Sequence, residues 1–284
     1  MNTIIFVIIY NKKVEDSKTI LSLLEMQYEN YDLKIINNGP ELIDVNYVEN
    51  ELCNKKINVT LEQYVENKPL SILYNKLLKE NYSYDRFIFF DDDTLIPARF
   101  FGDINSSFYN GLDLQLPKII SDFDKTIYYP LVNNVVISSN AEKIKLKNDD
   151  SIFSIGSGLI IYKSLLQKFN INNKKLFDER FAFYGVDVSL FKRINFLKKT
   201  GTLFNIQLCS EIYHDLSRVN SKNNFFRERE RMYDSVLSKI HYSNGLVDSI
   251  FFITKKGLKY ILTLRFHLFF LLIKILLIRK HPRC

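Results

Sequence analysis

Arg86-Phe87-Ile88-Phe89-Phe90-Asp91-Asp92-Asp93-Thr94 is an apolar run that stops on three consecutive carboxylates. Four residues of aromatic and β-branched character, bounded by polar groups, read as a buried strand. Three carboxylates side by side repel one another and resist burial without a counter-charge. Hard oxygen ligands of this kind suit Mg²⁺ or Mn²⁺. In open α/β sheets, ligands bind at the carboxyl ends of the strands, where this cluster falls. The stretch therefore predicts both a sheet and the edge of the sheet where chemistry occurs.

The flanking sequence supports such a sheet. Residues 4–10 form a second continuous apolar run, expected to be a strand buried on both faces. The start of the chain carries neither a basic region nor a small-residue cleavage site, so it reads as that strand and not as a signal peptide. Asp16 or Ser17 is placed to cap a helix carrying Ile20, Leu21, Leu23 and Leu24. Strands are expected at residues 33–36 and 57–61, a helix at 71–80, and then the strand that delivers the aspartates. Strand–helix alternation predicts a Rossmann-like, mostly parallel sheet with right-handed crossovers. Beyond residue 100, strands are expected at 114–120, 127–132 and 154–162, and helices at 189–197 and 227–241.

The chain has 284 residues, 46% of them apolar, and a formal charge of +7. Residues 251–284 hold eight Lys/Arg and no acid, so the first 250 residues carry −1 and the chain gives no nucleic-acid signal. Cys53, Cys209 and Cys284 have no metal-like spacing and are too few for a disulfide framework, which fits a reducing compartment. The tail is dense in Leu, Ile and Phe, but its longest uncharged stretch, residues 266–273, is shorter than the ~18–20 residues a bilayer span needs. An amphipathic helical tail over 246–284, lying on an anionic membrane surface, is the expectation; a core helix or an oligomer contact is the alternative.

Several landmarks in order resemble a family 2 glycosyltransferase of the GT-A fold, over about residues 1–215. These are Tyr10-Asn11, the turn from Ile35 to Pro40 through Asn37 and Asn38, the stretch Asn67 to Asn75, Asp91 to Thr94, Gly156-Ser157-Gly158, Phe177-Asp178-Glu179, Tyr184-Gly185-Val186-Asp187, and Tyr213-His214. The resemblance implies a GT-A domain over 1–245 and an inverting transfer of a hexosyl or deoxyhexosyl group from a nucleoside-diphosphate sugar. It implies a glycan or lipid-linked acceptor in surface-polysaccharide synthesis, such as capsule or lipopolysaccharide, on the cytoplasmic face of the cell membrane. By carry-over, Asp93, Asp91 and His214 hold Mn²⁺ or Mg²⁺. Tyr10, Asn11, Asn37, Asn38, Asn75, Asp91 and Asp92 line the nucleotide-sugar site. Gly156, Ser157, Gly158 and Tyr184 face the acceptor, and Asp187 is the general base. Asn37 stands where the family usually has an aspartate, and Val186 and Ser189 stand where acids flank the base.

Two rival readings remain from the sequence. Asp122-Phe123-Asp124-Lys125-Thr126 resembles the nucleophile loop of haloacid-dehalogenase-type phosphatases, with Asp122 as nucleophile and Asp124 as acid/base. The other rival is a non-catalytic protein that binds sugar nucleotides or glycans on the same fold.

Overall fold

The computed structural model describes all residues except 29, 53, 54, 56, 138–142, 217–224 and 244; Cys53 therefore lies outside the described residues. The chain begins β1 (Thr3–Ile9), α1 (Lys18–Glu25), β2 (Asp32–Asn37), α2 (Asn46–Leu52), β3 (Val59–Gln63), α3 (Leu70–Glu80) and β4 (Arg86–Asp91). It continues through β5 (Thr94–Leu95), α4 (Phe100–Ser106), β6 (Leu114–Ser121), β7 (Ile127–Tyr129), β8 (Leu131–Val132), β9 (Val135–Val136) and β10 (Lys143–Lys145). Then come β11 (Ile152–Phe153), β12 (Leu159–Tyr162), α5 (Lys163–Ile171), α6 (Val186–Lys199) and β13 (Ile206–His214). Three helices close the sequence: α7 (Phe225–Tyr242), α8 (Leu246–Leu262) and α9 (Phe266–Ile278).

The central sheet runs in the order β10-β13-β6-β12-β4-β1-β2-β3, with β5 added to β13 and β7 to β6. Strands β4, β1, β2 and β3 are mutually parallel, as the strand–helix alternation requires, and β12 enters antiparallel between β4 and β6. The strand bearing the aspartates is thus central. Side chains alternate across it. Phe87 and Phe89 join Ile4, Phe6 and Ile8 in the core on one face, whereas Ile88 and Phe90 join Ile5, Val7 and Ile9 on the other. Both faces are covered by helices, which explains why β1 and β4 read as unbroken apolar runs rather than as alternating ones.

Three expected elements differ. The strand read at 154–162 is confined to β12, Leu159–Tyr162, because the chain turns at 154–158, where Gly158 adopts a φ of +80. The strand read at 127–132 breaks at Pro130, which has no N–H for a ladder, into β7 and β8. The third strand lies two residues later than expected, at Val59–Gln63. The cap resolves in favour of Ser17, whose hydroxyl accepts from Ile20 N at 3.2 Å.

The tail is built into the molecule. Tyr260, Leu268, Leu272 and Ile275 are buried in the same core as Phe6 and Phe89, against Met232 and Val236 of α7. Outward, Leu246, Val247, Phe251, Leu262 and Leu277 are each more than 60% exposed. No helix among the described residues is long and apolar enough to cross a membrane.

Candidate active site

β4 ends at Asp91, and the next two residues turn into β5, which pairs antiparallel with the end of β13 so that Thr94 lies opposite His214. A strand pairing thus brings together residues 120 positions apart in sequence. The aim of His214 depends on an irregularity. The β13–β6 register shifts between Leu208 and Glu211, and Ser210 has a φ of +57. Ile206 and Leu208 face one core and Ile212 the other, so the bulge reverses which face the even-numbered residues meet. His214 follows Ile212 in that reversed phase.

Ligand atoms of Asp91, Asp93 and His214 lie within 4.8 Å of one another. His214 Nε2 is 3.9 Å from Asp91 Oδ2, and Nδ1 is 3.1 Å from Asp93 Oδ1. Nδ1 also lies 3.0 Å from Thr94 Oγ1, which fixes the ring and leaves Nε2 directed towards Asp91. Thr94 Oγ1 is in turn 2.6 Å from Ser157 Oγ, and Ser157 Oγ accepts from Asp91 N at 3.1 Å. Asp93 Oδ1 is buried and makes no hydrogen bond. The carboxylates keep an open side, with side-chain exposures of 43% for Asp91 and 32% for Asp93. Enclosure on the remaining sides raises the pKa of both carboxyls; repulsion from Asp93, Asp92 and Asp187 adds to this at Asp91, while His214 opposes it at Asp93. Two reluctant carboxylates, an orphaned carboxylate oxygen and an oriented imidazole fit a divalent cation.

Asp92 points elsewhere. Its carboxylate accepts from Tyr10 N at 3.1 Å and from Lys12 Nζ at 2.6 Å, and its carbonyl accepts from Ser17 Oγ at 2.9 Å. The middle aspartate thus pins the β1–α1 loop against the site and positions Tyr10, which is 52% exposed. Asn11, with φ +50, donates its N–H to Gly39 O at 2.8 Å and joins that loop to the turn after β2.

In that turn, Asn37 is 1% exposed; its amide donates to Glu41 O at 2.6 Å and to Gln63 Oε1 at 3.1 Å, and its oxygen accepts from Gly39 N at 3.0 Å. A carboxylate there would face two acceptors, which explains the asparagine. Asn38 bridges to Asn67 Oδ1 at 3.2 Å and Lys68 O at 3.0 Å. Asn75 holds Phe177 through both backbone groups, at 2.9 and 3.0 Å. These three asparagines shape the wall with their side chains committed inside the protein.

Gly185, with φ +88, starts α6 and places Asp187 in its first turn, where the helix dipole favours a negative charge. A Cβ at Gly185 would come within 2.5 Å of Phe181 and 2.6 Å of Asp234, so only glycine allows the loop to pass under α7. Asp187 is close enough to Asp91 to help raise its pKa. Tyr74, on α3, lies buried near both; burial foremost, then the charges of Asp91 and Asp187, push its phenol well above the ordinary value. Tyr184 carries Arg231 over its ring at 5.8 Å. Gly156 has open space above it. Gly158 N donates to Phe89 O at 2.7 Å, and a Cβ there would strike Ile212 and Pro117. Ser157, expected on the acceptor side, sits beneath Asp91 and Thr94.

Asp122 and Asp124 occupy the turn of the antiparallel β6–β7 hairpin. Lys125, at 2.7 Å, and Lys18, at 2.6 Å, hold the Asp122 carboxyl down at about 2. Asp124 accepts from Thr126 N and Tyr128 Oη, as a turn residue does.

No protein-family model matches the chain, and no curated protein matches it in sequence. Solved structures do match. TarS of S. aureus superposes with a TM-score of 0.50 at 16% identity, covering 88% of this chain. TarS 1–349 in complex with UDP-GlcNAc gives 0.52 at 15% identity, covering 88% of this chain and 69% of that one. GalNAc-T7 with UDP, GalNAc and Mn²⁺ gives 0.50 at 10% identity, covering 86% and 53%. The chain has the GT-A fold. It spans 41% of the TarS chain, and at these identities the likeness speaks for the GT-A architecture alone.

Proposed function

We propose that this protein is a metal-dependent, inverting glycosyltransferase that moves a hexosyl or deoxyhexosyl group from a nucleoside-diphosphate sugar to a glycan or lipid-linked glycan, in the synthesis of a surface polysaccharide such as capsule or lipopolysaccharide. The observation that carries the reading is the Asp91–Asp93–His214 cluster at the carboxyl end of the central strand of a GT-A sheet, with Asp187 nearby on α6. GT-A neighbours in complex with UDP-GlcNAc, or with UDP and Mn²⁺, support it.

A divalent cation held by Asp91, Asp93 and His214 would neutralise the charge that develops on the departing diphosphate. The imidazole ligand tilts the choice towards Mn²⁺ over Mg²⁺. Thr94 and Ser157 keep the His214 ring and the Asp91 backbone in place. The wall built by Asn37, Asn38 and Asn75, with Tyr10 and Asn11 above it, borders the nucleotide. Asp187 takes the proton from the acceptor hydroxyl as its oxygen bonds to the anomeric carbon and the carbon–oxygen bond to the diphosphate breaks. One such displacement inverts the anomeric centre. Tyr184, and the open backbone at Gly156, border the acceptor.

A panel of UDP-, GDP- and dTDP-sugars, scored by release of nucleoside diphosphate with Mn²⁺, tests the reading. Asp187→Asn is expected to lower kcat by at least ~10²-fold with donor affinity nearly unchanged, the scale of losing a general base. Release from no donor, or donor binding without any turnover, would favour the non-catalytic reading.

The tail, residues 246–284, is proposed to rest on the cytoplasmic face of the membrane beside the 1–245 domain. Its outward Phe251, Leu258, Leu262, Phe270 and Leu277 share the surface with exposed Lys255, Lys259 and Lys274. Each such charge near an anionic leaflet adds about 1 kcal/mol, and apolar insertion persists when salt screens the charges. Co-sedimentation with anionic vesicles that high salt only partly reverses is the expected result; a soluble dimer that ignores vesicles would assign the face to a second copy.

A further inference from the structure

We infer that Arg283, in the segment after α9, is a positioning residue for the donor pocket. The inference rests on the donor reading above and deepens it by naming what holds the turn that borders the nucleotide. α9 ends where Arg279 takes a φ of +56, and His241 Nε2 donates to its carbonyl at 2.8 Å. The chain then doubles back over the catalytic domain. His281 N donates to Arg180 O at 2.9 Å. The His281 ring stands edge-on to Tyr233 at 4.4 Å, and Nε2 is 3.1 Å from Glu230 Oε2 on α7. Both partners of that pair are almost fully buried, at 5% and 2% exposure, so the segment is fixed and not merely lying on the surface.

Arg283 reaches from this anchor to the donor wall. Its Nη1 donates to Asn67 O at 3.2 Å, and its Nη2 is 4.0 Å from Glu230 Oε2. Asn67 has a φ of +55, a conformation an asparagine tolerates but does not prefer. The Asn67 side chain accepts from Asn38 Nδ2, while Lys68 N donates to Asn38 Oδ1 at 2.9 Å. Asn38 N donates to Ile9 O at 2.8 Å, and Gly39 O accepts from Asn11 N at 2.8 Å. A continuous path of hydrogen bonds therefore leads from Arg283 through Asn67 and Asn38 to the Tyr10–Asn11 loop. The same turn feeds α3, where Leu70 N donates to Ala182 O at 2.8 Å and Ser71 Oγ donates to Phe181 O. Those carbonyls precede the loop that carries Tyr184 and Asp187. Arg283 therefore sits where the donor wall and the loop of the proposed base are tied together. The guanidinium keeps the strained turn closed, and the buried His281–Glu230 pair keeps the guanidinium in reach.

The test uses the full chain with UDP and GDP as probes, each titrated calorimetrically in the presence of Mn²⁺. Where the wild type binds one of them, Arg283→Ala is expected to weaken that binding by about five- to tenfold, the scale of one hydrogen bond from a charged donor. In donor hydrolysis the same variant raises KM while kcat stays within about twofold, and Arg283→Lys recovers part of the loss because an ammonium still donates to the carbonyl. His281→Ala moves affinity in the same direction, and vesicle binding by Arg283→Ala stays at the wild-type level. Wild-type nucleotide affinity and KM in Arg283→Ala overturn the inference alone. A fall in kcat and melting temperature with no KM split also overturns it, since that marks support of the fold only. A wild type that binds none of UDP, GDP and, added as a third probe, dTDP overturns the donor reading and this inference with it.

Discussion

Two stretches of this chain spell nearly the same thing. Asp91-Asp92-Asp93-Thr94 and Asp122-Phe123-Asp124-Lys125-Thr126 each follow an apolar strand and pair two aspartates across one residue, with a threonine close behind. Their surroundings give them opposite electrostatics. The first turn lies in the middle of the sheet, where enclosure and three neighbouring carboxylates push Asp91 up, and where Asp93 Oδ1 has no hydrogen-bond donor. The second lies at a hairpin, where Lys18 and Lys125 press Asp122 down to about 2 and every carboxylate is answered locally. Spacing alone does not make a ligand set. What distinguishes the two is a deficit of positive charge in one and its satisfaction in the other.

That contrast can be broken most forcefully at the central turn. Asp93→Ala is expected to reduce Mn²⁺-dependent turnover by at least ~10³-fold, as removing a metal that supplies several kcal/mol would. Full activity in this variant, or in EDTA, would place the metal elsewhere. A smaller effect is expected from pH in the metal-free protein. Because the folded pKa values of Asp91 and Asp93 are raised, the folded state binds more protons than the unfolded one between the ordinary value of 3.8 and those raised values. Stability should therefore increase as pH falls from neutral into that window, with the opposite trend once Mn²⁺ is present. Thermal melts of wild type and Asp91→Asn in EDTA read this directly; parallel slopes in the two would remove the electrostatic account. Smallest is the hairpin. Asp122→Asn should leave turnover within about twofold and cost less than ~1 kcal/mol, because its ion pairs are solvent-screened. Its contribution is present above pH ~4 and lost as pH falls towards 2, since its folded pKa is depressed. Loss of a phosphatase activity in that variant would revive the rival enzyme.

Sequence reading reached the sheet because β1 and β4 are buried on both faces and so lack any polar interruption until they end. The order of landmarks singled out Asp91, Asp93 and His214, whose ligand atoms the structure brings within 4.8 Å of one another. Sequence reading missed what depends on pairing at a distance. The ion pair of Asp92 with Lys12, 80 residues earlier, is one such case. The seat of Ser157 beneath Thr94 is another. The β13 bulge that aims His214 leaves only Ser210 as a trace, and a serine advertises no positive φ. Tyr74 had no signal at all: its phenol lies near two carboxylates because α3 crosses β4, and helical spacing reports only that the residue faces inward.

The shared core of the tail and the catalytic strand bears on the order in which the protein can be completed. A nascent chain that has reached His214 already contains every proposed metal ligand and the proposed base. By then Tyr74 and Phe177 already cover Phe89, but α7 and the tail residues Tyr260, Leu268, Leu272 and Ile275 that pack against it have yet to be synthesised. Until the tail emerges, the apolar face of α7 at Met232 and Val236 meets water, at a cost of about 25 cal/mol for each Å² left bare. Completion of the core therefore waits on the same segment that is proposed to meet the membrane.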